Sequence, residues 1–200
     1  MKYSESKWDI SRQSNEYGGN MGTSDLDKYC ERAVQYGVTE AKVINPATVV
    51  TAPWVRLKCL YGCPFNQQRY SCPPHTPTPA ETQSVLDSYK RALLFRIEAP
   101  YLKDRGGKIK VCLDMLVELE GEVFKDGYYK AFVMLSGPCM LCKECAKVEG
   151  IPCRNPGKFR PAMEAFGIDV YKTARNNGYY IMPLREKTET QNLYCLMLVD

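Results

Sequence analysis

The cysteines constrain this chain more than any other feature of its sequence. Its 200 residues contain ten cysteines and only one histidine. Seven of the cysteines form two groups, the first cysteine group at Cys59, Cys63 and Cys72 and the second at Cys139, Cys142, Cys145 and Cys153. The polar start of the sequence, Met1 to Glu5, does not have the pattern of a secretory signal, so we expect a cytoplasmic protein. In a reducing compartment, clustered thiols are more often metal ligands or redox groups than disulfides.

The second cysteine group has a spacing that favours an iron–sulfur cluster. Cys139, Cys142 and Cys145 are each separated by two residues, and Cys153 follows eight positions later. Bacterial ferredoxins use a similar run, C-x2-C-x2-C-x3-C-P, although here the last gap is longer and Arg154 replaces the proline. Zinc is the alternative, but structural zinc usually takes two separated C-x2-C pairs. We therefore predict a 4Fe–4S cluster at this group, with zinc as the less favoured metal.

The first cysteine group predicts a second cluster. Gly62 and the prolines around its three cysteines indicate a rigid loop that is shaped to hold a group. Three thiolates leave the fourth ligand of a cubane open. His75, three residues after Cys72, could supply it, although a surface position is favoured, and Cys112 or Cys153 are further candidates.

The other three cysteines have the pattern of core residues. Cys195 lies in a strand-like apolar run, and Cys30 and Cys112 lie on the apolar stripes of predicted helices. A buried cysteine packs as a small hydrophobic side chain.

Helical and strand patterns alternate along the chain. They predict an α/β or α+β class with a single mixed sheet flanked by helices, and with both cysteine loops at one edge. Residues 1–22 are predicted to be a mobile polar arm, and 23–200 a single domain. Strands are predicted at 41–44, 54–57, 92–97, 131–135, 179–182 and 193–199, and helices at 25–36, 79–90, after Gly106-Gly107, from Arg160 and after Asp169.

Composition excludes several classes of function. A net charge of +4 is too small to favour nucleic acid, and the apolar runs are too short to span a membrane. A single histidine in a proline-rich loop does not support a Ser-His-Asp triad. The carboxylates of Glu118, Glu120 and Glu122 have the pattern of a solvent face.

Basic side chains surround the second cysteine group. They could raise the potential of an anionic cluster, form an ordinary solvated face, or bind an acidic redox partner or anionic substrate. The residues concerned are Lys143, Lys147, Arg154, Lys158 and Arg160.

The cysteine motifs, taken with the segment that follows them, resemble a family of predicted metal-binding proteins, domain of unknown function 2284. Members occur mainly in anaerobic bacteria and archaea. The likeness covers roughly residues 25–200 and rests on Cys59-x3-Cys63, Cys72-Pro73-Pro74, Gly137-Pro138-Cys139-x2-Cys142-x2-Cys145, Cys153-Arg154, Arg160-Pro161-Ala162-Met163-Glu164-Ala165 and Gly167-Ile168-Asp169-Val170. It implies metal or cluster binding at the seven grouped cysteines and no established reaction.

Three functional hypotheses follow from these patterns. The first is an iron–sulfur redox module with one or two 4Fe–4S clusters that serves a partner protein. The second is an enzyme whose three-cysteine cluster keeps one iron open for Lewis-acid or sulfur chemistry on a small anionic or sulfur-containing ligand. The third is a zinc-stabilised binding module.

Overall fold

The computed structural model describes residues 24–200, so the predicted polar arm over 1–22 lies outside the described residues. Four strands form one sheet in the order β1-β2-β4-β3. All three pairings between them are antiparallel. The strands are β1 Glu40–Ile44, β2 Ala92–Ala99, β3 Phe132–Met134 and β4 Gln191–Leu198.

Five helices flank this sheet: α1 Asp27–Gln35, α2 Val55–Gly62, α3 Pro79–Asp87, α4 Arg105–Lys125 and α5 Val170–Asn176. Short 3₁₀ turns occupy Pro46–Thr48 and Met163–Phe166, and we call the latter the 163–166 turn. The predicted class, one sheet flanked by helices, is confirmed. The strands pair in antiparallel fashion rather than in the expected mixed arrangement. Within residues 24–200 the only parallel pairing is an isolated bridge between Leu135 and Ala162.

Each face of the sheet carries its own core, because successive side chains of a strand point to opposite faces. Leu93 and Phe95 of β2 pack with α1 and α4. Leu94 packs on the other face with α3, the 163–166 turn and the chain near α5. Cys112 and Cys195 belong to the first core and Cys30 packs against it, which confirms their predicted structural role. Neither core contains a cysteine of the two groups.

The strand predicted at 54–57 is wrong, because this segment is the start of α2. The apolar residues there suggested a buried strand, but Leu57 is 53% exposed and only Val55 of the helix is buried. The helix follows a turn in which Val55 N–H donates to Ala52 O. The first cysteine group is therefore delivered by a helix and not by a strand.

The strand predicted at 179–182 is also wrong. Tyr179 and Ile181 are buried and Tyr180 is 85% exposed, which reproduces the alternation of a strand. The segment is nevertheless unpaired with the sheet, and Tyr179 N–H donates to Ala174 O at the end of α5. Alternating burial therefore arises here without a strand partner.

Candidate metal centre

Helix α2 gathers one side of the first cysteine group. Arg56 and Cys59 are three residues apart on α2, so their side chains share one helical face, and Cys63 is the residue that follows the end of the helix. The chain then returns through a series of tight turns. In the last two of these, Cys72 N–H donates to Arg69 O at 3.1 Å and His75 N–H to Cys72 O at 3.0 Å. The three thiols are half-buried, and the charges of Cys63 and Cys59 contribute, after burial, to the raised pKa of Cys72.

The second cysteine group follows the edge strand β3. The chain turns at Gly137, whose φ of 73° is in the region that favours glycine, and enters the cysteine segment. Cys139, Cys142, Cys145 and Cys153 all line one small cavity of about 20 Å³. The structure therefore brings together the four cysteines that the spacing predicted as one ligand set.

Asn155 donates to two of these sulfurs. Its backbone N–H lies 3.4 Å from Cys153 Sγ, and its Nδ2 lies 3.2 Å from Cys142 Sγ. Donors of this kind stabilise negative charge on thiolate ligands and tune the metal that they hold. Sequence reasoning missed Asn155, and the only available signal was its position two residues after Cys153.

The two cysteine groups are neighbours in space. Tyr70 OH donates to Ile151 O at 2.8 Å, and Lys147 Nζ donates to Gln67 O. Gln67 has a φ of 58°, the only positive value among non-glycine residues in the described range. The sequence predicted that both cysteine loops lie along one edge of the sheet, and these contacts show that the two loops touch each other.

Arg69 is a buried cation between the two groups. Only 8% of its surface is exposed, and it lines the cavity of the second cysteine group. Its Nε has no hydrogen-bond partner within residues 24–200, and none of the ion pairs formed there includes it. Its guanidinium lies 4.6 Å from the Phe65 ring centroid. A buried cation without a carboxylate is costly unless an anion compensates it.

The basic residues that the sequence did single out are mostly engaged elsewhere. Arg154 pairs with Glu149, Lys158 lies 3.7 Å from Glu118, and Arg160 pairs with Glu120. Arg154 also lines the cavity of the second cysteine group, but Arg69 is the buried cation there, and sequence reasoning missed it.

Glu120 corrects the prediction of a solvent face on α4. It is only 8% exposed, and its Oε2 accepts hydrogen bonds from Val133 N–H at 2.7 Å and from Arg160 Nε at 2.8 Å. This hydrogen bond holds the pKa of Arg160 above its ordinary value. The Glu120–Arg160 pair therefore links the chain that follows the second cysteine group to α4 and β3.

Burial is the main cause of the thiol pKa shifts in both groups. It raises the pKa of Cys59, Cys72 and Cys139, while the charge of Arg69 opposes the increase at Cys72 and Cys139. Metal binding requires thiolates, so a metal must displace these protons when it binds.

A larger cavity of about 570 Å³ adjoins the second cysteine group. It lies between the first half of α4 and the segment after β3, and it shares Cys139 and Leu141 with the smaller cavity. Apolar side chains such as Leu113 and Val117 form much of its wall, with Lys110, Lys158 and Arg160 among its polar residues. A volume of this size suits a small organic ligand.

Three further observations bear on the predictions. His75 is exposed, and its ring lies 5.5 Å from that of Tyr70. In the described part of the chain, no three histidine, cysteine or acidic side chains lie close enough together to hold a single metal ion.

No helix between residues 24 and 200 has the length and apolar character needed to cross a membrane.

Comparison with known families now identifies the chain at the level of family. The chain belongs to the family described as predicted metal-binding protein (DUF2284), which it matches over residues 42–199. The matched region contains both cysteine groups and the 163–166 turn. No match was found among curated proteins or among solved structures.

Proposed function

We propose that this chain is an iron–sulfur redox protein that exchanges electrons with a partner protein in a reducing cytoplasm. Cys139, Cys142, Cys145 and Cys153 would hold one 4Fe–4S cluster. Cys59, Cys63 and Cys72 would hold a second. Such clusters supply one-electron transfer when bound.

One observation carries the proposal: four thiols and the buried Arg69 line the same cavity. Four thiolates and an oxidised cubane carry about −2 in total, which would compensate this cation. Soft thiolate ligands favour iron–sulfur clusters or zinc over harder metals, and zinc with four thiolates would also be anionic. The C-x2-C-x2-C run is what favours the cluster over zinc. A cubane is larger than the present cavity, so we expect the segment to widen when a cluster binds.

Exposed apolar side chains near the cysteines support a partner protein. Met140, Val148 and Ile151 of the second cysteine segment are 58%, 56% and 42% exposed. Leu60 and Tyr61 of α2 are 48% and 85% exposed. Exposed apolar residues that cluster near a functional site are typical of interaction surfaces. We place the docking of a redox partner on this side of the molecule.

Metal analysis of anaerobically purified protein, with EPR of the reduced form, tests the proposal. About eight irons and eight sulfides per chain would support two clusters, and about four would restrict the proposal to the second cysteine group. Stoichiometric zinc without sulfide would contradict it and indicate a zinc-stabilised binding module.

Cys142→Ser, with Cys195→Ala as its control, tests the ligand assignment. Cys142 lines the cavity, whereas Cys195 is fully buried in the sheet. Cys142→Ser should remove one cluster and lower the iron content by about half, since each cubane holds about four irons. Cys195→Ala should keep all the iron and lower the free energy of unfolding by about 1–2 kcal/mol, because it leaves a small cavity. Unchanged iron in the Cys142→Ser protein would contradict the assignment.

An enzyme is the second candidate, and the 570 Å³ cavity beside Cys139 is the observation that favours it. Its largely apolar wall suits a small molecule with an apolar body. The basic residues in that wall, Lys110, Lys158 and Arg160, each lie beside an acidic side chain. The cavity adjoins the second cysteine group, so substrate chemistry is proposed there rather than at an open iron of the first.

A tryptophan at Leu113 tests whether this cavity binds such a ligand. Leu113 lines the cavity, whereas Val111 on the same helix is 60% exposed and does not. The probe is anilinonaphthalene sulfonate, which has an apolar body and an anionic group. Leu113→Trp should weaken its binding at least about tenfold by filling the cavity, and Val111→Trp should leave it unchanged. Equal affinities in all three proteins would contradict a binding role for the cavity.

A further inference from the structure

One short segment of the first cysteine loop is also part of the wall of the second site. Arg69, Tyr70 and Ser71 line the cavity that the four thiols of the second cysteine group share. Cys72 follows directly and belongs to the first cysteine group. Its N–H donates to Arg69 O at 3.1 Å, so a tight turn connects the wall of one site to a cysteine of the other. Adjacent Cα atoms lie about 3.8 Å apart, so a single peptide unit separates the Cα of Cys72 from that wall.

Two side chains of this 69–72 segment carry unused donors. Arg69 and Ser71 are only 8% and 4% exposed. Arg69 Nε and Ser71 Oγ are buried and have no hydrogen-bond partner within residues 24–200. Buried polar atoms are nearly always paired, and the sulfurs of the proposed cluster at the second cysteine group would supply acceptors to both. The 69–72 segment therefore serves the second site with two side chains and the first site with a thiol.

Hydrogen bonds fasten the 69–72 segment to the second cysteine loop. Tyr70 OH, within the segment, donates to Ile151 O at 2.8 Å. Just before the segment, Gln67 O accepts from Lys147 Nζ. Ile151 and Lys147 both lie between the third and fourth cysteines of the second group. The contact between the two sites is thus held by the same short loop that carries the second set of thiols.

The charge of Arg69 favours two anionic groups side by side. Such groups repel each other, and a positive charge between them reduces the repulsion. Residues 41–80 contain no aspartate or glutamate, so no carboxylate of its own loop pairs with this buried cation. A metal group at each cysteine group would place negative charge on both sides of the guanidinium. The cation that compensates one cluster is therefore also placed to reduce its repulsion with the other.

We propose that the 69–72 segment joins the two metal groups into one redox pair, in which an electron that arrives at one cysteine group passes to the other within the chain. This inference rests on the proposed function, because it requires a cluster at each cysteine group. One electron moves in each transfer. One cluster is oxidised by that electron and the other is reduced by it, and no proton or further reactant takes part. Electron transfer slows steeply with distance, so a wall that both sites share favours transfer between them.

EPR of the fully reduced protein tests the proposal, because two unpaired electrons that lie close together alter each other's signals. Protein reconstituted anaerobically with iron and sulfide, and reduced with a europium(II) chelate, should contain about two spins per chain, one for each cluster. Its spectrum should be broadened or split relative to the sum of the spectra of two single-cluster variants. Cys142→Ser provides the first cluster alone and Cys59→Ser the second alone.

The unsubstituted protein provides its own comparison if either variant does not fold. Far fewer molecules carry both spins at half reduction than at full reduction, so the broadening or splitting should grow as the second electron enters. A redox titration followed by EPR measures this change. A signal that only doubles in size, without a change in shape, would contradict the pairing.

The outcomes separate failure of this inference from failure of the proposed function. About eight irons with a spectrum equal to the sum of the two variants would overturn the redox pair and leave both clusters intact. About one spin from eight irons would also overturn it, since a cluster that is not reduced takes no part in transfer. About four irons would remove the first cluster and this inference with it, while the absence of iron and sulfide would overturn both proposals.

Discussion

At the scale of single residues, the candidate site is defined by polar groups that the rest of the fold does not use. Arg69 and Glu164 each have a buried side-chain atom without a partner in the described part of the chain. Arg69 lines the cavity of the second cysteine group, and the charge of Glu164 contributes, after burial, to the raised pKa of Cys195 and of Cys59. Unpaired buried charges are destabilising by themselves. The negative charge of the proposed cluster would compensate Arg69.

Arg69→Gln should make the proposed 4Fe–4S cluster at the second cysteine group harder to reduce. A buried cation stabilises the extra negative charge of the reduced cluster, so its removal lowers the reduction potential. We expect a decrease of at least about 60 mV, equivalent to a tenfold change in a one-electron equilibrium. A potentiometric titration monitored by EPR measures this shift.

Lys143→Gln is the matched control for Arg69→Gln. Lys143 lies within the second cysteine segment but is exposed to solvent, so its charge is screened. Removing the charge of Lys143 should change the reduction potential much less than removing the charge of Arg69. Equal shifts in the two variants would show that burial of Arg69 has no special influence on the cluster.

At the scale of elements, the site depends on how α2, α3 and the 163–166 turn are packed. Helix α3 begins with a capping box, in which Thr78 Oγ1 accepts from Glu81 N–H and the Glu81 carboxylate accepts from Thr78 N–H. Pro79, at the first position of this helix, lies against Gly167. Gly167 ends the 163–166 turn with a φ of 76°. The turn that carries Glu164 is thus fitted closely against the start of α3.

Gly167→Ala should destabilise the protein by about 1–3 kcal/mol. An added Cβ would lie 2.5 Å from Pro79 Cγ. The alanine would also have to adopt a left-handed backbone conformation, which favours glycine. Gly121→Ala is the control, because Gly121 lies within α4 with open space around it and should gain about 0.5–1 kcal/mol in the helix. Denaturant unfolding measures both free energies. A Gly167→Ala protein as stable as the original would contradict this packing argument.

At the scale of the whole molecule, the candidate site is separate from the two cores. The core residues of β2 and β4, such as Phe95 and Leu196, are fully buried, whereas all seven grouped cysteines are only half-buried. Hydrophobic burial therefore stabilises the sheet without any metal, while the cysteine segments have few apolar contacts to order them. Metal binding is expected to stabilise these segments more than the sheet.

Anaerobic chelation of the metal should leave the sheet folded and loosen the cysteine segments. Far-ultraviolet circular dichroism should change little. Amide hydrogen exchange in residues 137–160 should accelerate at least about tenfold, because ligand binding stabilises only the state that holds the ligand. The amides of β2 provide the internal control and should keep their protection. Global unfolding on chelation would contradict the separation of site and core.

The sequence by itself determined the features that depend on near neighbours along the chain. The spacing of Cys139, Cys142 and Cys145 predicted that they share one site, and these cysteines line one cavity. The Thr78-Pro79-Ala80-Glu81 pattern identified the start of α3. The apolar runs identified β2 and β4, and they also identified the buried positions of Cys112 and Cys195. Each of these depends on local periodicity, capping or loop geometry, which a few consecutive residues specify.

Only the tertiary structure decided the features that depend on distant neighbours. The segment after Pro53 is a helix rather than a strand, and Glu120 is buried because Arg160, forty positions away, reaches it. The position of Arg69 at the second cysteine group is equally invisible to local patterns. The physical reason is that burial and pairing are properties of the packed molecule. An arginine or glutamate has the same local signature whether it faces solvent or lies unpaired beside a thiol.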